Sequence, residues 1–65
     1  MFKQVERYYY YDELSRTIYH SEKLVEDRPD LIFLGSSLNP NERMAVATFA
    51  KNLDREFGYN IKPLL

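Results

Sequence analysis

Hydrophobic and polar positions divide this chain into an aromatic first half and an amphipathic second half. In the second half, Val46, Phe49, Ala50, Leu53 and Phe57 recur at helical spacing, with Met44 and Ala47 beside the stripe. Asn39-Pro40-Asn41-Glu42 reads as the start of that helix, with Asn39 as N-cap, Pro40 in the first helical position and Glu42 completing a capping-box-like arrangement. Gly58 suits the left-handed position that closes a helix, and Tyr59 beyond it can pack back on the last turn. The pattern predicts a helix over Pro40–Phe57. In the tail, Ile61, Leu64 and Leu65 are apolar, and Pro63 keeps the segment from continuing as a central strand.

The first half carries period-two signals instead. Phe2–Tyr11 and Thr17–Val25 are rich in Tyr, Val, Ile and Thr, and the polar Asp12–Ser15 lies between them. That is a hairpin pattern. A helix over Asp12–Glu26 is the rival reading, since Glu13, Leu14, Glu22, Lys23 and Leu24 are good helix formers. The hairpin is favoured because Thr17-Ile18-Tyr19-His20-Ser21 makes a poor helix centre.

Register follows from charge. Pairing Tyr11 with Thr17 sets Glu6 against Glu22, an unfavourable like-charge pair. A four-residue loop pairing Tyr11 with Arg16 avoids it, and sets Tyr9 opposite Ile18 and Tyr8 opposite Tyr19. Val5, Tyr9, Tyr11, Ile18 and Leu24 then form the core side. Tyr8, Tyr10, Thr17 and Tyr19 share the solvent side with Gln4, Glu6, Ser21 and Lys23. Glu26–Asp30 is a loop, and Leu31–Leu34 is a short apolar strand ended by Gly35-Ser36-Ser37. The expected fold is α+β, in the order β-β-β-α. A small three-stranded antiparallel sheet, a β-hairpin plus one strand, is covered by one C-terminal helix. One small domain spans residues 1–65.

Composition narrows the class. A chain of 65 residues that is 45% hydrophobic and 15% aromatic, with two Gly and three Pro, suits a folded domain and argues against disorder. Chains this short bury only about 60% of their unfolded surface and need dense packing, cross-links, metal or self-association. There is no cysteine, which excludes disulfides and thiolate zinc sites, and the single histidine argues against a structural metal. No cofactor is expected. A cysteine-free chain with no apolar signal segment after Met1 is expected in the cytoplasm. The longest apolar run, Leu31–Leu34, is far too short to cross a bilayer.

The formal net charge is −1. Asp12–Asp30 is locally acidic, with Asp12, Glu13, Glu22, Glu26, Asp27 and Asp30 against Arg16, Lys23 and Arg28. That is not the basic footprint of a duplex-DNA binder.

The strongest functional signal is the run Tyr8-Tyr9-Tyr10-Tyr11, followed by Tyr19. Strand alternation places two of the four tyrosines on each face, so some must leave the core. Exposed tyrosines give large contact area at low entropic cost, and they also serve simply as cross-strand pairs that stabilise a hairpin. Tyr8, Tyr10 and Tyr19, with Arg7 or Arg16 at the rim, form the candidate partner-binding surface. Aromatics interspersed with cations can also stack single-stranded bases, although Glu6, Glu22 and the acidic stretch oppose that. His20 has Glu22 two residues on, which is an ordinary surface pair more often than an acid–base set. Gly35-Ser36-Ser37 before a helix is a distant echo of a phosphate loop.

The sequence therefore predicts a non-enzymatic module that binds another protein, a regulator or inhibitor of the kind phages and mobile elements encode. The alternative is a single-stranded nucleic-acid-binding protein that uses the tyrosine face. A homodimer through the helix shoulder (Met44, Ala45, Ala47) or the tail is compatible with both.

Overall fold

The computed structural model describes residues 5–58 and 60–64. Expectations for Phe2, Gln4, Tyr59 and Leu65 fall outside the described residues. The chain runs β1 (Arg7–Asp12), β2 (Thr17–Ser21), β3 (Ile32–Ser37), α1 (Glu42–Leu53) and β4 (Ile61–Pro63). The α+β class is as the sequence predicts. The sheet, however, has four strands in the order β3-β1-β2-β4, and it is mixed rather than antiparallel.

The hairpin forms, and the helix over Asp12–Glu26 does not. β1 and β2 are antiparallel, with Tyr9 opposite His20, Tyr10 opposite Tyr19, Tyr11 opposite Ile18 and Asp12 opposite Thr17. The loop has four residues, but each pairing is displaced by two positions from the Tyr11–Arg16 register. Asp12 closes the turn from inside the strand, its carboxylate accepting the Leu14 N–H at 3.1 Å, and Arg16 adopts φ 53° to bring the chain back. An even displacement leaves the paired residues of both strands on their expected faces. Tyr9, Tyr11 and Ile18 therefore still face the helix, and all three are buried.

β2 stops at Ser21, well short of Val25, where the Ser21 hydroxyl accepts the Lys23 N–H and turns the chain. Residues 22–31 then cross the sheet on the face away from the helix, because β3 pairs with β1 rather than with β2. Val5 and Leu24, expected in the core, are exposed.

β3 runs three residues later than expected at its end, through Gly35-Ser36-Ser37. Tyr9 faces Gly35 while Tyr10 faces Phe33, which leaves Leu34 as the extra residue of a bulge. Gly35 has φ +139°, and a Cβ there would lie 2.8 Å from Cε1 of Phe49. Only glycine lets the helix settle this closely on the strand.

α1 is shorter than the predicted Pro40–Phe57. Asn41, not Asn39, is its N-cap, accepting the Met44 N–H at 3.2 Å; Asn39 instead accepts the Asn41 N–H at 2.9 Å. At the other end Asp54, not Gly58, takes the left-handed conformation at φ 52°. The Arg55 N–H donates to Ala50 C=O and the Asp54 N–H to Lys51 C=O, a Schellman closure. Ala45, Val46, Phe49 and Ala50 face the sheet, whereas Leu53 is exposed. Ala45 thus belongs to the core, not to a free shoulder. Phe57 reaches the core from beyond the helix, edge-on to Tyr11 at 4.9 Å.

The tail pairs parallel to β2 as β4. Ile18 N–H donates to Asn60 C=O at 2.8 Å, and Leu64 N–H donates to His20 C=O at 2.9 Å. Alternation then turns Pro63 toward the open side, where its missing N–H costs nothing. Proline thus marks an edge strand here. Ile61 packs on the core cluster and is taken up by the fold.

Gly35→Ala tests this packing. It adds positive-φ strain to a clash with Phe49 and should cost roughly 2–4 kcal/mol. A urea-unfolding midpoint equal to the wild type would show that Phe49 does not rest on the Gly35 backbone.

Candidate functional site

The four-tyrosine run is shared between the two faces of β1. Tyr9 and Tyr11 enter the helix-side core, while Tyr8 and Tyr10 point to the opposite face together with Tyr19, as β-alternation and the observed pairing require. On that opposite face Tyr19, Tyr10 and Phe33 form a row across β2, β1 and β3. The Tyr10 and Phe33 rings lie 5.4 Å apart and tilted.

Tyr10 is not the exposed ring the sequence suggests. Only 3% of it is accessible, and its hydroxyl accepts the Val25 N–H at 2.8 Å. The crossing segment 22–31 lies over it, and Leu31 is buried beside the sheet. In sequence this segment reads as the end of a strand and a loop, and neither pattern signals the cover. Tyr8 and Tyr19 remain half-buried. The Tyr8 hydroxyl donates to Glu6 at 2.9 Å, and that carboxylate, by the hydrogen bond first and its charge second, holds the phenol above its ordinary range.

Two residues of this surface were missed. Phe33 is 52% exposed at the open end of the row. Its strand reads as an unbroken apolar run, Leu31–Leu34, which gives no alternation from which to assign a face. Lys62 lies next to Tyr19 through the β2–β4 pairing. Leu14, 99% exposed at the hairpin tip, also stands out. A leucine flanked by Glu13 and Ser15 in a turn is its available signal.

The two arginines separate. Arg16 is exposed at the hairpin tip, lining an open groove with Arg55, Tyr11 and Phe57. The Arg55 guanidinium stands 5.2 Å from the Tyr11 ring centre, 5.6 Å from that of Phe57, and 3.3 Å from the Glu13 carboxylate. Arg7 lies on the helix side and cannot rim the tyrosine face. Its guanidinium donates to Glu42 at 3.2 Å.

That pair belongs to a polar cluster at the start of α1. His20 Nε2 lies 3.3 Å from the same Glu42 oxygen, so the carboxylate nearest the histidine comes from the helix and not from Glu22. The Tyr9 ring sits 6.1 Å from the His20 ring and 5.4 Å from that of Phe49. Its hydroxyl is buried without a hydrogen-bond partner. Burial, assisted by the Glu42 charge and opposed by Arg7, raises the phenol above its ordinary range. Arg7, His20, Ser21, Glu22, Lys23 and Pro63 line a cleft of about 310 Å³ beside the cluster. Among the described residues no group of three His, Cys, Asp or Glu is placed to hold a metal ion. No helix among them is long and apolar enough to cross a membrane.

Chemically, the cluster ties the first turn of α1 to β1 and β2. The acid accepts from Arg7 and lies within reach of His20. The aromatic row lies on the opposite face of the sheet, away from this cluster. Comparison with protein-family models, with curated proteins and with solved structures yields no match.

Two hydroxyl deletions separate the roles of the buried tyrosines. Tyr10→Phe strands the Val25 N–H and should destabilise by about 1–2 kcal/mol, whereas Tyr9→Phe removes an unpartnered buried hydroxyl and should be neutral or stabilising. Thermal melts of the two variants check this, and equal losses would contradict it.

Proposed function

We propose that this chain is a small non-enzymatic protein-binding module, a regulator or inhibitor acting in the cytoplasm. It docks through the sheet face away from the helix. Tyr8, Tyr19 and Phe33 are the anchors, with Arg16 and Leu14 reaching out from the hairpin tip. The single observation that carries this reading is the Tyr19–Tyr10–Phe33 row. Its central ring is clamped by the Val25 hydrogen bond, and its outer rings keep accessible surface. A rigid aromatic platform binds without paying much ordering entropy, and an anchoring ring in an interface contributes about 2 kcal/mol or more. Tyr10 supports the platform from beneath, and Arg7 holds the helix.

The non-enzymatic part of the reading is supported by the bonding of His20. The Glu42 carboxylate beside it also serves Arg7, and the resulting bridge has a structural use in joining α1 to the sheet.

A second reading has one observation in its favour. Lys62 beside Tyr19 pairs a cation with a half-buried ring, as in sites that stack single-stranded bases. The neighbouring Arg28 is held by Asp30 in two hydrogen bonds of 3.0 and 2.9 Å, which leaves it poorly placed for phosphate.

The test is capture from host lysate with and without nuclease, using wild type and the folded variants Tyr8→Ala, Tyr19→Ala and Phe33→Ala. A protein partner should survive nuclease, weaken at least tenfold with Tyr19→Ala or Phe33→Ala, and change little with salt. His20→Ala, if folded, should retain the partner and the biological effect. A complex destroyed by nuclease, and weakening by roughly one log unit per log unit of salt for each phosphate neutralised, selects the nucleic-acid reading. Wild-type binding by all three aromatic variants removes this face as the site.

A further inference from the structure

We infer that the open edge of β3 pairs with a second copy of itself, joining two chains into one eight-stranded sheet across a two-fold axis. This goes beyond the docking reading and does not depend on it.

The backbone hydrogen bonds fix which peptide groups of β3 are free. Ile18 and His20 turn theirs toward β4. In an antiparallel ladder successive residues turn their N–H and C=O to opposite sides. Tyr19 and Ser21 therefore bond to β1, and their partners Tyr10 and Tyr8 bond to β2. It follows that β1 reaches β3 through Tyr9 and Arg7, which face Gly35 and Ser37. Phe33 and Ser36, opposite Tyr10 and Tyr8, turn their peptide groups outward.

A regular strand offers its bonding residues two apart. On β3 the free ones are three apart, because Leu34 is inserted between them as the bulge. A regular strand can meet Phe33 or Ser36, but not both in register, so the bulge guards this edge against indiscriminate pairing. A second β3 has the same spacing. Laid antiparallel, it puts Ser36 opposite Phe33 and Phe33 opposite Ser36, bulge against bulge, as an isologous contact requires.

The chemistry agrees. Ile32–Ser37 carries no charged side chain, so the two-fold sets no like charges opposite one another. In this register the exposed Leu38 meets Leu31 of the other copy, and the exposed Ile32 and Phe33 lose water-facing surface. The other edge of the sheet, β4, has three residues and turns Pro63 outward, so β3 is the edge left open. For a chain this short, the added pairing supplies the self-association that small cores commonly need.

The cysteine-free sequence makes the test direct. Sedimentation equilibrium of the full chain at micromolar concentration should give twice the mass of one chain. Ser36→Pro, which deletes one outward N–H at the edge, should give a monomer with the wild-type circular-dichroism spectrum. The double variant Phe33→Cys/Ser36→Cys should form an intermolecular 33–36 disulfide on mild oxidation, identified by peptide mapping, while Met44→Cys on the exposed helix side should not. Tyr8→Ala and Tyr19→Ala should dimerise like the wild type, so failure of the docking surface and failure of this edge are read separately. A wild-type monomer at high micromolar concentration overturns the inference. So does a dimer that persists in folded Ser36→Pro. If Ser36→Pro does not fold, the cysteine pair decides, and absence of the 33–36 cross-link overturns the inference.

Discussion

The fold depends on the contact between Phe49 and the strand pair beneath it. Phe49 stands on the bare backbone of Gly35 and against the ring of Tyr9, 5.4 Å away. Three elements meet there: the helix, the central strand and the bulged edge strand. With the helix seated at that point, Ala45 and Val46 close on the sheet. The Schellman turn at Asp54 then directs Arg55 and Phe57 back over Tyr11. A side chain at position 35 would push Phe49 from this seat, and in a chain with so little core a loss of roughly 2–4 kcal/mol is a large share of the stability.

The tyrosine run makes β1 a strand buried on both sides. Its odd members fill the helix-side core, and its even members carry the opposite face. That face is only half open, because the crossing segment 22–31 fastens to the Tyr10 hydroxyl and covers the middle of the row. A ring that would have been an aggregation hazard becomes the base of a second, smaller layer. Exposed aromatic area remains at Tyr8, Tyr19 and Phe33, and it borders the β3 edge.

Charged side chains tie distant parts of the architecture together. Glu42 sits in the first turn of α1, where a carboxylate suits the helix dipole, and there it accepts from Arg7 and lies within reach of His20. Arg55 bridges the hairpin loop to the segment after the helix by pairing with Glu13 while stacking on Tyr11. Both links join parts of the chain more than 20 residues apart. Both are partly exposed, so each contributes little stability by itself and mainly fixes orientation.

Periodicity alone determined the class of fold, the hairpin, the helix and the side of the sheet on which each tyrosine of β1 lies. These are local properties: a strand repeats every two residues and a helix every 3.6, and an even register shift leaves both faces unchanged. Tertiary structure decided the rest. The two-residue register depended on how Asp12 closes its turn, and the end of α1 on whether Asp54 could adopt a left-handed conformation. The burial of Tyr10 depended on a segment arriving from β2, and the strand at Ile61–Pro63 on a partner more than 40 residues away. Phe33 could not be placed because an unbroken apolar run has no alternation to read. Only a sheet with β1 at its centre says which of its residues meets water. Gly35 reads in sequence as the end of a strand, whereas it lies inside β3, and its use as a seat for Phe49 required the helix to be in place. Nothing in the local pattern carries that distance.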